Sequence, residues 1–150
     1  MKHPILWSVI WTVWLAPGAF AAIGKPVGDF TASGYAREHQ LKISHQRGDL
    51  VAFVGANREL VLLKVRRDRV YYQRLTWIEA NPDPQARQDA YFDFVTEALE
   101  LQPGSPEQER LRQFLKAGGA TETTLKPGLT IRVHSGTDGA GDDPYIEVSE

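Results

Sequence analysis

The chain contains no cysteine. This excludes disulfide staples, thiolate metal sites, cysteine nucleophiles and lipoprotein-type acylation. The fold must then be held by burial and hydrogen bonds, which a chain of 150 residues can supply. Asn-x-Ser/Thr is also missing, since Asn57 and Asn81 both stand in other contexts. Neither HExxH nor Gly-x-Ser-x-Gly occurs, so no zinc-protease helix and no nucleophile elbow is written in the sequence. No apolar run approaches the roughly 20 residues that a spanning helix needs. The formal net charge of −2 shows no basic excess that would argue for nucleic acid.

What is present begins with a three-part pattern. Lys2 and His3 precede an apolar stretch from Ile5 to Leu15, Pro17-Gly18 ends it, and Ala19-Phe20-Ala21 offers a small-x-small cleavage site. Residues 1–21 therefore read as a secretory signal peptide, with the mature chain starting at Ala22 and keeping no stable membrane span. Cleavage would remove Trp7, Trp11 and Trp14 and leave Trp77 as the sole indole. An exported chain without cysteine or sequons fits a bacterial periplasm or exterior.

Residues 22–34 read as an irregular lead-in, and 35–150 as a single α+β domain. Tyr35 to His45 alternates loosely, with Tyr35, Leu41 and Ile43 on one parity, and predicts a half-buried strand. Leu50–Val54, Glu59–Arg66 and Arg69–Trp77 are rich in β-branched, aromatic and leucine residues, and short turns separate them. They predict an antiparallel β-meander. Both parities of Glu59–Arg66 are partly apolar, as in a central strand covered on two faces or covered by a partner. Asp83-Pro84 opens a helix whose stripe is Tyr91, Phe94, Val95, Ala98 and Leu101. Ser105-Pro106-Glu107-Gln108 opens a second helix, with Leu111, Phe114 and Leu115 on its apolar side and Gly118-Gly119 at its end. After a Thr-rich link, Leu129–Val133 and Tyr145–Val148 alternate and predict a C-terminal β-hairpin. The predicted architecture is an antiparallel sheet with two consecutive helices packed on it.

No catalytic motif assembles locally. His39 and His45 lie about 20 Å apart on one extended strand, too far for a shared metal. Ser105 is explained as a helix cap. Asp89, Asp93 and Glu97 share a helix face, which reads as solvated acidic surface. The loop Ser135–Asp143 holds three aspartates among glycines but fits no calcium-loop spacing. The sequence thus assigns no catalytic residue, no metal ligand and no cofactor. Arg47-Gly48-Asp49 is a turn before a strand rather than an adhesion signal.

The most suggestive cluster is basic and aromatic. Lys64, Arg66, Arg67, Arg69, Tyr71, Tyr72 and Arg74 follow one another across one hairpin. Arginine beside tyrosine grips carboxylates, phosphates or the acidic face of a protein. The same charges would also discourage edge-to-edge aggregation. The expected function is a non-catalytic exported binding protein docking an acidic or anionic partner, foremost another envelope protein and not nucleic acid. One alternative is a small hydrolase or lyase of an envelope polymer, using His45 or His134 beside a carboxylate such as Asp49. A second is a small-ligand carrier using space between the sheet and its first helix. The sequence sets no oligomeric state.

Overall fold

The computed structural model describes residues 22–118, 121–136 and 143–150. The expected signal peptide and most of the Gly/Asp loop lie outside these residues. The sheet is assembled from β1 (Lys42–Arg47), β2 (Leu50–Val54), β3 (Glu59–Arg66), β4 (Arg69–Trp77), β5 (Glu122–Lys126), β6 (Leu129–His134) and β7 (Tyr145–Ser149). Its order is β1-β2-β3-β4-β7-β6-β5, and every pairing is antiparallel. Strands β2, β3 and β4 form the expected meander, and β1 extends it by one strand. The C-terminal pair β6–β7 is also as expected, with β7 inserted between β4 and β6.

Turn chemistry sets these connections. Arg67 and Asp68 both have positive φ, 52° and 63°, the conformation that matches the twist of a two-residue hairpin. Pro127-Gly128 closes β5 onto β6, with Gly128 at φ 76°.

Helices cover one face. The Asp83 carboxylate caps α3 (Pro84–Ala98), accepting from the N–H groups of Gln85 and Ala86 at 3.1 and 3.0 Å. Ser105 caps α4 (Pro106–Ala117), accepting from Gln108 N–H at 3.2 Å, and Gly118 ends it at φ 65°. The core lies between α3 and the inward side chains Phe53, Val61, Leu63, Leu75, Ile131, Ile146 and Val148. Trp77 meets Tyr91 with ring centroids 5.8 Å apart.

Three stretches differ from the sequence-based expectation. The lead-in is not irregular throughout, because Val27–Ala32 forms α1 and places Phe30 against Phe53 at 4.9 Å. Just before α1 the chain also pairs with β4: Gly24 N–H donates to Val70 O at 2.7 Å and Val70 N–H to Lys25 O at 2.9 Å. Nor does a strand begin at Tyr35. Gly34–Glu38 is a short helix, α2, and the strand starts at Lys42. Ser33 Oγ accepts from Ala36 N–H at 3.1 Å, and the consecutive residues Tyr35 and Ala36 are both buried. A half-buried strand would send such neighbours to opposite faces. Finally, the Thr-rich link is a strand, β5, where Thr123 pairs with Ile131 and Leu125 is buried; β-branched threonines suit that pleat.

Candidate functional site

Among the described residues, no element packs on the face of the sheet opposite the helices. Leu50, Val54, Leu60 and Leu62 point to it half-buried, with the buried Ala52, and none of them joins the main core. β3 therefore carries two apolar faces, of which only the inner one is covered by the described elements.

Register turns this open face into ordered rows. One row runs His45, Ala52, Leu62, Arg74, Glu147, Arg132, Glu122 across the sheet. Its first half is apolar after His45, and its second half alternates in charge. The next row runs Arg47, Leu50, Lys64, Tyr72, Ser149, Thr130, with two cations and no acid.

Glu147 is the centre of the charged half. It is only 5% exposed. Its Oε2 accepts from the Tyr72 hydroxyl at 2.7 Å and from Arg74 Nη2 at 2.8 Å, and its Oε1 accepts from Arg132 Nη1 at 3.0 Å. Arg132 also donates to Glu122 at 2.8 and 3.1 Å. Burial alone would raise the Glu147 pKa. Hydrogen bonds from Tyr72 and Arg74, the Arg74 charge and the Arg132 hydrogen bond outweigh it and hold the carboxyl below its ordinary range. Burial, and then the bond to Glu147, push the Tyr72 phenol up, so it remains a proton donor.

Aromatic rings fix the cations. The Arg74 guanidinium lies 4.0 Å from the Tyr145 centroid, and Lys64 Nζ lies 4.9 Å from that of Tyr72. His134 stacks on Tyr145 with centroids 5.0 Å apart. Arg66 sits 4.5 Å over Tyr71, whose hydroxyl donates to Asp49 at 3.3 Å. Such an arrangement can hold acidic side chains against a semi-rigid cationic and apolar surface; it contains no activated nucleophile.

The seven residues singled out from the sequence thus separate. Lys64, Tyr72 and Arg74 lie on the open face, with Arg66 and Tyr71 stacked at its margin. Arg67 forms the turn. Arg69 has a structural role, donating to Gly24 O at 2.7 Å and pairing with Pro26. Sequence reasoning missed Glu147, Arg132, Glu122 and Tyr145. For Tyr145, Glu147 and Arg132 the alternation in Tyr145–Val148 and Leu129–His134 was the available signal, because it puts them opposite the apolar residues, whereas Glu122 lies in the stretch read as a link.

The acid–base candidates are not gathered. His45 is on edge strand β1 and His134 on β6, five strand steps apart in the sheet order, about 24 Å at ~4.8 Å per step. Asp49 sits in the turn after β1 and accepts from Tyr71. His39 instead packs tilted against Tyr35, with centroids 4.3 Å apart, and lies 3.2 Å from the buried Glu59 carboxylate. A side chain on Gly55 would come within 2.5 Å of that carboxylate and 2.9 Å of the His39 carbonyl, which explains glycine there. Asp93 faces this region from α3. Burial raises its pKa, Glu38 and Asp89 raise it further, and His39 partly offsets them. Among the described residues, no three His, Asp or Glu side chains converge on a metal position. No described helix is long and apolar enough to cross a membrane.

No protein-family model matches the chain, and neither a curated protein nor a solved structure matches it. Its own residues carry what can be said of its function.

Proposed function

We propose that this is an exported, non-catalytic binding protein whose open sheet face docks an acidic surface of another cell-envelope protein. The observation that carries this reading is the open face itself. It combines a row of half-buried aliphatic residues with Arg47, Lys64 and Arg66, and the guanidinium of Arg74 is held in place beside them. An apolar centre bordered by arginine and tyrosine has the composition of a protein interface. Charge supports the sign of the partner. The row through Lys64 contains no acid, whereas Glu38, Asp89, Asp93 and Glu97 lie on the α2–α3 side of the molecule. The amino-terminal pattern supports export, in a bacterial periplasm or beyond it.

The test is quantitative capture from the host's own envelope. Replacing Lys64, Arg66 and Arg67 with serine removes exposed charge without touching Glu147 or the Arg69–Gly24 contact. Retention of an acidic partner is expected to fall between about threefold and about a hundredfold, from three charges at a few tenths to one kcal/mol each. The melting temperature should fall only slightly, by the loss of the exposed Lys64–Tyr72 and Arg66–Tyr71 contacts. Wild-type binding should also weaken as salt rises. Equal retention by the triple variant, at matched folding, would overturn the role of these cations.

A further inference from the structure

The helix side of the molecule holds a second feature, which meets the docking face only at His134, stacked on Tyr145. Between α3, α4 and the end of β6 lies a cleft of about 230 Å³. Its walls are largely apolar, with Phe114 and Leu115 from α4 and Val133 from β6. The Gln88 side chain fixes the two helices by donating to Leu115 O at 3.2 Å. By contrast, the space directly under α3 is filled by Phe94 and Val95.

Two residues that line this cleft each carry a buried polar atom without a described partner. The Tyr91 side chain is 3% exposed, and its hydroxyl has no hydrogen-bond partner among the described residues. One helical turn earlier, Arg87 has a buried Nε without a described partner, while its Nη2 reaches Pro82 O at 3.4 Å. Buried donors are nearly always paired, so two orphans lining one cleft point to a ligand that pairs them. Burial raises the Tyr91 pKa and the Arg87 charge only partly offsets it, so the hydroxyl keeps its proton.

The donor set selects the ligand. A guanidinium N–H and a phenol O–H offer two donors to one group, which a carboxylate's two oxygens satisfy. The largely apolar walls favour a ligand with an apolar body over a bare oxyanion such as phosphate. The volume is below the ~300–1,000 Å³ of drug-sized sites, so the occupant is small. We propose that this cleft binds a small organic carboxylate, its charged end held by Arg87 and Tyr91 and its apolar body packed against Phe114, Leu115 and Val133.

The test uses the full chain and sodium benzoate, with neutral benzamide as control and ionic strength held constant. Backbone amide NMR should show saturable shifts centred on Arg87, Tyr91, Phe114 and Val133, with much weaker effects from benzamide. Tyr91→Phe should weaken benzoate about tenfold, the value of one hydrogen bond to a charged group. Without ligand, the same variant should melt at the wild-type temperature or above, because it removes an unpaired buried hydroxyl. Benzamide binding as tightly as benzoate, shifts centred elsewhere or no saturable shifts would each overturn the proposal. So would a lowered melting temperature for Tyr91→Phe, which would mean that the hydroxyl already has a partner.

Discussion

Replacing Glu147 with alanine is expected to destabilise the fold by about 2–4 kcal/mol, somewhat below the range for breaking a fully buried ion pair because its arginine partners are partly exposed. The reason is what it leaves behind. Tyr72 and Arg74 lose the acceptor they share, in a setting where Glu147 itself is only 5% exposed. Arg132 is half exposed and keeps Glu122, so its share of the loss is small. Glutamine should cost less, since it preserves shape and an acceptor oxygen but removes the charge. The effect must also depend on pH. The folded carboxyl is held below its ordinary value, so its stabilisation is complete above the unfolded pKa of about 4.3 and disappears as pH falls through the depressed folded value. Urea unfolding of Glu147→Gln against wild type should therefore show a gap at pH 7 that shrinks steadily below about pH 4. A gap of the same size in strong acid would mean that the charge contributes nothing.

The second large effect comes from the opposite face. Phe94 is 1% exposed and lies 5.9 Å, centroid to centroid, from Tyr35. Phe94→Ala is expected to cost about 3–5 kcal/mol through lost burial and the cavity left behind. That is a large part of the ~5–15 kcal/mol that holds a typical domain together. Leu62→Ala supplies the contrast, since Leu62 is half-buried on the open face. It should cost no more than about 1 kcal/mol. Urea unfolding of both variants measures the difference between a covered and an uncovered face. Equal losses would show that the open face is packed within the isolated chain.

Much of the architecture was legible because local rules and burial agree there. The bounds of β2, β3 and β4 follow from period-two patterning, and those of α3 and α4 from Asp83-Pro84, Ser105-Pro106 and Gly118. Where the signal was mixed, the reading failed. Tyr35, Leu41 and Ile43 share a parity by coincidence, while the Ser33 cap and the burial of both Tyr35 and Ala36 make that stretch a helix followed by a turn. Thr123 and Thr124 resemble a linker until Ile131 pairs with the first of them. The site was half legible for a related reason. Lys64, Tyr72 and Arg74 are neighbours in one hairpin, so local sequence groups them. Glu147, the partner that Tyr72 and Arg74 share, lies 73 residues from Arg74, and only the insertion of β7 beside β4 brings it there. Arg69 looked like its basic neighbours because sequence cannot show that Gly24 lies within its reach.

The most direct measurement is site-specific photo-crosslinking of the full chain in its own host. One crosslinker replaces Leu62 at the middle of the open face, and another replaces Gln113, an exposed residue of α4. The proposed docking mode predicts a single acidic envelope protein joined at Leu62 and absent at Gln113. The Leu62 adduct should be lost when Lys64, Arg66 and Arg67 become serine. Adducts formed equally from both positions, or none from Leu62 while the partner stays bound, would contradict docking through this face.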